Sequence, residues 1–155
     1  MVNVLFLCHG NICRSPMAEF VFKDIVAQNG KQNNYNIASA ALSNEEIGND
    51  VHYGTKNILN IKGVPHNSRQ AVKFTPQHYE IYDYIIIMDQ NNFNYIKRIL
   101  PNNNLNKVYK FLSFAGLNRD IADPWYTGNF EQTYNDVLLA SNSLFKYLEE
   151  NLWNF

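Results

Sequence analysis

Apolar residues occur along the chain either in short continuous runs or, in longer segments, at every third or fourth position. Runs of β-branched and aromatic residues bounded by turn residues predict buried strands, whereas the wider spacing predicts amphipathic helices. The predicted strands are residues 2–7, 35–42, 84–88 and 107–112. Because helical segments alternate with these strands, we expect an α/β fold with a four-stranded parallel sheet and helices on both faces.

The helices are predicted from their end signals as well as from their periodicity. Ser15 is expected to cap the first helix, with Pro16 at its first helical position and its end near residue 29. A second helix is expected to run through Tyr53 and Ile58 and to be terminated by Gly63 and Pro65. Further helices are predicted at residues 76–82, 91–100 and 130–150. No internal repeat or linker interrupts the pattern, so residues 1–155 are expected to form one domain.

The amino-acid composition argues against several classes of protein. Of the 155 residues, 46% are hydrophobic and 17% charged, and the net charge of −1 offers no basic field for nucleic acid or an anionic membrane. No segment approaches the ~20 apolar residues that span a bilayer. The two cysteines are too few for a secreted disulfide scaffold, and no leader-like segment is present. We therefore expect a cytoplasmic protein, although leaderless export would leave no mark in the sequence.

The loop from Cys8 to Ser15, between the first strand and the first helix, has the strongest chemical signal. Gly10 lets the backbone approach a ligand closely, and the free N–H groups and dipole of the following helix favour an anion. Arg14 adds a planar fork that matches two phosphate oxygens. The same surroundings favour the thiolate of Cys8, which would be a nucleophile beside a bound phosphate.

The residue types and their spacing do not by themselves exclude other interpretations of this loop. A cysteine that ends a buried strand is often a small core hydrophobe. A dinucleotide-binding loop is conceivable, although Gly10 is the single glycine and G-x-G-x-x-G is absent. A zinc site would need further ligands, which His9 alone does not supply. The strand before the loop and the helix after it favour a phosphate-binding loop.

The stretch CHGNICRSP, from Cys8 to Pro16, resembles the corresponding loop of the low-molecular-weight protein tyrosine phosphatases. Four later segments agree with this family in order and spacing: SAA at 39–41, HNSRQ at 66–70, MD at 88–89 and DPWY at 123–126. The resemblance covers essentially the whole chain. It implies an α/β protein tyrosine phosphatase that acts on phosphotyrosine-containing proteins or small aryl phosphates, with no metal or organic cofactor.

The resemblance also implies roles for individual residues. Cys8 would form a phosphocysteine intermediate, Arg14 would bind the phosphate, and Asp123 would act first as general acid and then as general base. The loop residues that would bind or surround the phosphate are His9, Gly10, Asn11, Ile12, Cys13, Arg14 and Ser15. Together with Asn11 and Ser15, His66 matches a position that shapes the loop and tunes the thiolate.

Asp123 lies in the long connection at residues 113–129, where the Asp-Pro pair can also be explained by local backbone conformation. An Asp before a Pro favours an extended loop conformation, so Asp-Pro followed by aromatics is often only a turn. With the Cys8 loop present, we favour catalysis, with Trp125 and Tyr126 as walls of a cleft for an aromatic ring. Asp89, after the third strand, would either support the site or cap the next helix.

Two residues depart from the family pattern. Glu45 stands where the family often has an aromatic wall, which predicts altered selectivity and repulsion of acidic peptides. His9 stands where the family tends to have a smaller or aliphatic residue, so its side chain is expected at the cleft rim. Proteins with this fold also catalyse arsenate reduction, which needs further cysteines downstream of the nucleophile, and this sequence has none after Cys13. Hydrolysis of phosphoarginine is a third possibility, but the apolar Ile12 suits a phenyl ring better than a guanidinium group. A non-catalytic phosphotyrosine-binding module would retain the same loop.

Two further expectations concern regulation and assembly. Cys8 and Cys13 lie five positions apart, so oxidation is expected to yield a reversible disulfide between them. The protein is expected to be a monomer or a weak dimer.

Overall fold

Four parallel strands form the centre of the computed structural model, which describes residues 1–102 and 104–152. The strands are β1 (Val2–Cys8), β2 (Tyr35–Ala41), β3 (Tyr84–Ile87) and β4 (Val108–Lys110). Their order across the sheet is β2-β1-β3-β4, and each neighbouring pair is parallel. The predicted α/β class and four-stranded parallel sheet are confirmed.

Six α-helices accompany the sheet in the described part of the chain. They are α1 (Arg14–Gln28), α2 (Tyr53–Ile61), α3 (Pro76–Ile81), α4 (Gln90–Ile99), α5 (Pro124–Thr127) and α6 (Phe130–Leu152). Short 3₁₀ helices occupy Gln32–Asn34 and Phe111–Ala115. Five of the helices were predicted, and α5 is an addition within the long connection.

Side chains of β1 divide the core into two halves because successive residues of a strand point to opposite faces. Val4 and Phe6 pack in the half that contains α1 and α6. Leu5 and Leu7 pack in the other half with residues of α3 and α4, among them Ile96. Helices therefore cover both faces of the sheet, as predicted.

The predicted start of the first helix was wrong by two residues. The N-cap is Cys13 and α1 begins at Arg14, so Ser15 lies inside the first turn. Its hydroxyl does not cap the helix, because it makes hydrogen bonds with Cys8 and Asn11 instead. The competing partners come from the preceding loop, which the local capping pattern does not take into account.

The fourth strand is also shorter than predicted. It ends at Lys110, and the chain continues as the 3₁₀ helix Phe111–Ala115. Phe111 and Leu112 are fully buried, and the Phe111 ring packs 5.1 Å from the Phe6 ring between centroids. Burial of these two side chains favours the 3₁₀ turn over two more residues of an edge strand.

The carboxyl ends of the central strands lie side by side. Cys8 is in register with Ala41 of β2, and Asp89 follows two residues after the end of β3. Ligands of open α/β sheets bind at this edge, so the loops that leave it are placed to form a site.

Within residues 1–102 and 104–152, none of the helices has both the length and the apolar character that crossing a membrane requires.

Candidate active site

The sulfur of Cys8 lies at the base of the loop between β1 and α1 and is surrounded by hydrogen-bond donors. The backbone N–H groups of Asn11 and Ser15 point to Sγ at 3.3 and 3.4 Å, and Oγ of Ser15 lies 3.0 Å away. Cys8 itself is only 3% exposed. Three donors around one sulfur are suited to a thiolate, which accepts hydrogen bonds, more than to a thiol.

The direction of the Ser15 bond follows from its neighbours. Nδ2 of Asn11 donates to Oγ of Ser15 at 2.7 Å and to Oγ of Ser39 at 2.9 Å. Ser39 in turn donates to Glu19 at 2.6 Å. Because Ser15 already accepts a hydrogen bond from Asn11, its own hydroxyl hydrogen is free to point at Cys8. A continuous network thus connects the carboxylate of Glu19 to the Cys8 sulfur.

Between His9 and Cys13, four carbonyl groups of the loop accept hydrogen bonds from residues outside it. The pairs of carbonyl and donor residue are His9 with Ser43, Asn11 with Arg69, Ile12 with His52, and Cys13 with Thr55. In a trans peptide unit the C=O and the next N–H point in opposite directions. Each bond therefore turns the following N–H away from the outside partner and toward the inside of the loop. This arrangement can hold an anion the size of phosphate.

The guanidinium of Arg14 is buried beside two carboxylates. Its Nη1 donates to Asp89 at 2.7 Å and to the carbonyl of Ile121 at 2.8 Å, and Nη2 lies 3.5 Å from Asp123. Burial disfavours the charge, but the negative charges of Cys8, Asp89 and Asp123 outweigh it and raise the pKa of Arg14. The guanidinium is thereby held as a cation beside the Cys8 sulfur.

Asp89 has both of the roles that the sequence left as alternatives. One carboxylate oxygen holds Arg14, and the other accepts from the N–H of Asn92 at 2.7 Å and caps α4. Asp123 is similarly shared: one oxygen accepts from the Trp125 N–H at 3.0 Å and the other faces Arg14.

A cleft of about 100 Å³ lies over the loop. The predicted residues that line it are Cys8, His9, Gly10, Ile12, Cys13, Arg14, Glu45, Asp123, Trp125 and Tyr126. Asn11 and Ser15 are buried beneath it. Trp125 and Tyr126 are exposed at 56% and 82%, and both border the opening of the cleft.

The structure does not bring His66 to this cleft. Its Nε2 lies 2.7 Å from Oδ1 of Asn60, and its ring lies edge-on to Phe20 with centroids 6.1 Å apart. The contact between this segment and the Cys8 loop is made by Arg69, three residues later. The position implied by the resemblance was therefore wrong for His66, because the chain turns so that the longer Arg69 side chain faces the loop.

Three residues of the site were missed: Glu46, Arg69 and His52. Glu46 lines the cleft next to Glu45, which was predicted. Arg69 lies in the HNSRQ segment that carried the resemblance, so a signal was present but was assigned to its neighbour. His52 caps α2, donates its N–H to the Ile12 carbonyl at 2.9 Å, and packs edge-on against Trp125 at 5.6 Å. No sequence pattern marks His52, since these contacts depend on chain segments far apart.

Cys13 lies beside Cys8 in a different environment. It is 4% exposed, and burial followed by the negative charges of Cys8 and Asp123 raises the pKa of its thiol to about 12. At neutral pH Cys13 is therefore a protonated thiol and cannot take the place of Cys8 as nucleophile.

The sequence and the fold match a known class of enzymes. A sequence model described as "Low molecular weight phosphotyrosine protein phosphatase" matches residues 3–154. The chain therefore belongs to this family of protein-tyrosine phosphatases, and the resemblance seen in the sequence is confirmed.

Individual relatives support the assignment. Low molecular weight protein-tyrosine-phosphatase YfkJ of Bacillus subtilis strain 168 is 37% identical over 134 residues, which cover 85% of this chain and 86% of YfkJ. PtpA of Staphylococcus aureus strain MRSA252 is 36% identical over 149 residues, 96% of this chain and 94% of PtpA. The crystal structure of YfkJ matches with a TM-score of 0.93 at 34% identity and covers 97% of this chain and 96% of YfkJ. The Drosophila arginine phosphatase DARP shares the fold with a TM-score of 0.86 at 25% identity, over 96% of this chain and 98% of DARP.

Proposed function

We propose that this protein hydrolyses phosphotyrosine through a covalent intermediate on Cys8, without a metal or organic cofactor. The observation that carries the proposal is that one cleft contains the Cys8 sulfur, the buried Arg14 guanidinium and the Asp123 carboxyl group. Each of the three supplies a different requirement of phosphoryl transfer: nucleophile, charge stabilisation and proton transfer.

In the first step the Cys8 thiolate attacks phosphorus in line with the aryl oxygen. The S–P bond forms, the P–O bond to the ring breaks, and Asp123 gives its proton to the departing phenolate. Arg14 and the inward N–H groups of the loop bind the equatorial phosphoryl oxygens, where negative charge is spread in the transition state.

In the second step a water molecule hydrolyses the phosphocysteine. Ionised Asp123 takes one proton of the water as its oxygen attacks phosphorus, the S–P bond breaks, and inorganic phosphate leaves. The Ser15 hydroxyl and the Asn11 and Ser15 N–H groups stabilise the thiolate that departs. The proton that Asp123 takes from the water replaces the one that it gave to the phenolate, so the cycle is closed.

Phosphotyrosine is favoured as the substrate by the cleft's walls. Ile12, Trp125 and Tyr126 line it and present apolar surface to a phenyl ring. A phosphoarginine side chain would instead place a cation beside Arg14, at a cost in repulsion. Turnover of phosphotyrosine and phosphoarginine at equal concentration compares the two substrates directly.

Hydrolysis of p-nitrophenyl phosphate in the presence of EDTA tests the mechanism. We expect turnover by the wild type that is resistant to EDTA and lost in Cys8→Ser. A folded, reduced wild type without turnover would contradict catalysis and would favour a phosphotyrosine-binding module.

A further inference from the structure

Asn11 is the residue of the Cys8 loop with an unusual backbone conformation. Its φ of 59° lies in the left-handed region, which residues other than glycine rarely adopt. It is also 1% exposed, so its carbonyl cannot be hydrated as a carbonyl at the surface would be. A buried carbonyl in a strained turn requires a partner to hold it there.

That partner is the guanidinium of Arg69. Nη2 of Arg69 donates to the Asn11 carbonyl, and Nη1 donates to the Asn49 carbonyl at 3.2 Å. Asn49 lies in the loop after β2, which also contains the cleft residue Glu45. One guanidinium therefore joins the phosphate-binding loop to the loop that forms a wall of the cleft.

The backbone of Arg69 is held as well. Its N–H donates to Oδ1 of Asp50 at 3.0 Å, and the other oxygen of Asp50 accepts from Lys56 at 2.6 Å. Burial lowers the pKa of the Arg69 guanidinium, opposed by the negative charges of Glu19, Cys8 and Asp50. An arginine remains charged under such conditions, so its two hydrogen bonds are charge-assisted.

The bond from Arg69 has a consequence inside the loop. Because the Asn11 carbonyl is turned toward Arg69, the N–H of Ile12 in the same peptide unit points the opposite way. The other outward carbonyls are held by short partners, namely the Ser43 and His52 N–H groups and the Thr55 hydroxyl. Arg69 is the partner with a long charged side chain, and it acts at the strained residue.

We propose that Arg69 is a positioning residue for the phosphatase reaction, which holds the Asn11–Ile12 peptide unit so that the Ile12 N–H faces the phosphate. Without it, the buried Asn11 carbonyl has no partner and the peptide unit turns to find one, which removes an N–H donor from the phosphate site. The inference rests on the proposed function for its catalytic consequence, but phosphate binding tests it separately.

The experiment measures the affinity for inorganic phosphate by isothermal titration, together with kcat and KM for p-nitrophenyl phosphate. In Arg69→Ala we expect about ten-fold weaker phosphate binding and a similar loss in kcat/KM, the size of effect that one lost donor to a charged group has. Arg69→Lys, whose single ammonium can replace only one of the two contacts, is expected to lie between the wild type and Arg69→Ala. Guanidinium ion added to Arg69→Ala is expected to restore part of the lost affinity.

A matched control separates positioning from stability. Tyr35→Phe removes one hydrogen bond, to Glu149 at 2.7 Å, at the amino end of β2 and away from the cleft. It is expected to lower the melting temperature while phosphate affinity and kcat/KM stay at the wild-type values. Wild-type phosphate affinity in a folded Arg69→Ala variant would overturn the inference. A wild type that binds phosphate but has no turnover would contradict the proposed function and leave the phosphate test of Arg69 valid.

Discussion

The imidazole of His9 and the carboxylate of Glu45 meet at the rim of the cleft, with Nε2 of His9 3.0 Å from Oε2 of Glu45. These are the two residues that depart from the family pattern in the sequence. The His9 ring also lies edge-on to Tyr95, with centroids 5.3 Å apart. A polar pair packed against Tyr95 thus stands at the cleft rim, where the resemblance in the sequence implied an aromatic wall.

Glu45→Trp is expected to tighten the binding of phosphotyrosine peptides. The Glu45 side chain is 69% exposed and offers the substrate a negative charge but no stacking surface. An aromatic contact contributes about 0.5–1.5 kcal/mol, so we expect about a two- to ten-fold lower KM. Steady-state kinetics with a neutral phosphotyrosine peptide and with one flanked by glutamates measure the change, which should be larger for the second peptide.

Glu80→Trp is the control for this substitution, because Glu80 is an exposed residue of α3. Its KM values are expected to stay unchanged. Identical KM values for Glu45→Trp and the wild type would show that Glu45 does not border the bound peptide.

Asp123→Asn is expected to affect substrates according to their leaving group. Loss of a general acid lowers kcat by about 10²–10⁴-fold when the leaving group is a phenolate as basic as tyrosine. The more acidic p-nitrophenol needs less proton donation, so the loss with p-nitrophenyl phosphate should be smaller. The ratio of the two kcat values reports the effect, and Asp120→Asn in the same connection serves as the control. Equal losses with both substrates would argue for a role of Asp123 in holding Arg14 only.

Cys13→Ala is expected to prevent recovery from peroxide. Peroxide oxidises the Cys8 thiolate to a sulfenic acid, and the Cys13 thiol then condenses with it to a disulfide with loss of water. In the wild type, dithiothreitol should restore the activity lost to peroxide, whereas in Cys13→Ala oxidation proceeds to forms that dithiothreitol does not reduce. Equal recovery in both proteins would exclude the disulfide as the protective form.

Tyr35→Phe is expected to lower stability in a pH-dependent manner. Burial, and then the hydrogen bond to Glu149, raises the pKa of Tyr35 in the folded state. A raised folded pKa stabilises the protein fully below the unfolded pKa, about 10 for tyrosine, and that stabilisation is lost as the pH rises above it. The free energy of unfolding of the wild type should therefore exceed that of Tyr35→Phe by about 1 kcal/mol at pH 8. Urea unfolding at pH 8 and above pH 10 measures the difference in free energy of unfolding between the two proteins, which should shrink as the pH rises. A difference that grows with pH would contradict the prediction.

Much of the fold could be predicted because its determinants are local. The apolar run of β1, the glycine in the loop and the periodicity of α1 are properties of neighbouring residues, and they predicted a strand, an anion-binding loop and a helix in the observed order. The candidate nucleophile Cys8 and the candidate phosphate ligand Arg14 belong to this continuous segment. A candidate chemistry for this segment could therefore be proposed from the sequence alone.

The remaining features were decided by tertiary contacts. Arg14 lies between Asp89 and Asp123, which are 75 and 109 positions away in the chain, and the sequence left open whether Asp89 supports the site or caps a helix. The choice of Arg69 over His66 as the residue that holds the loop depends likewise on how a distant segment turns.

Local signals also failed where a distant or buried partner competed for the same group. Ser15 does not cap α1 because its hydroxyl bonds to Cys8 and Asn11, and β4 ends early because Phe111 and Leu112 enter the core. Sequence patterns report the preferences of neighbouring residues, so they predicted most of the elements of this protein and a candidate chemistry for the loop. Only packing brings together groups that are far apart in the chain, and it therefore decided which side chains complete the site.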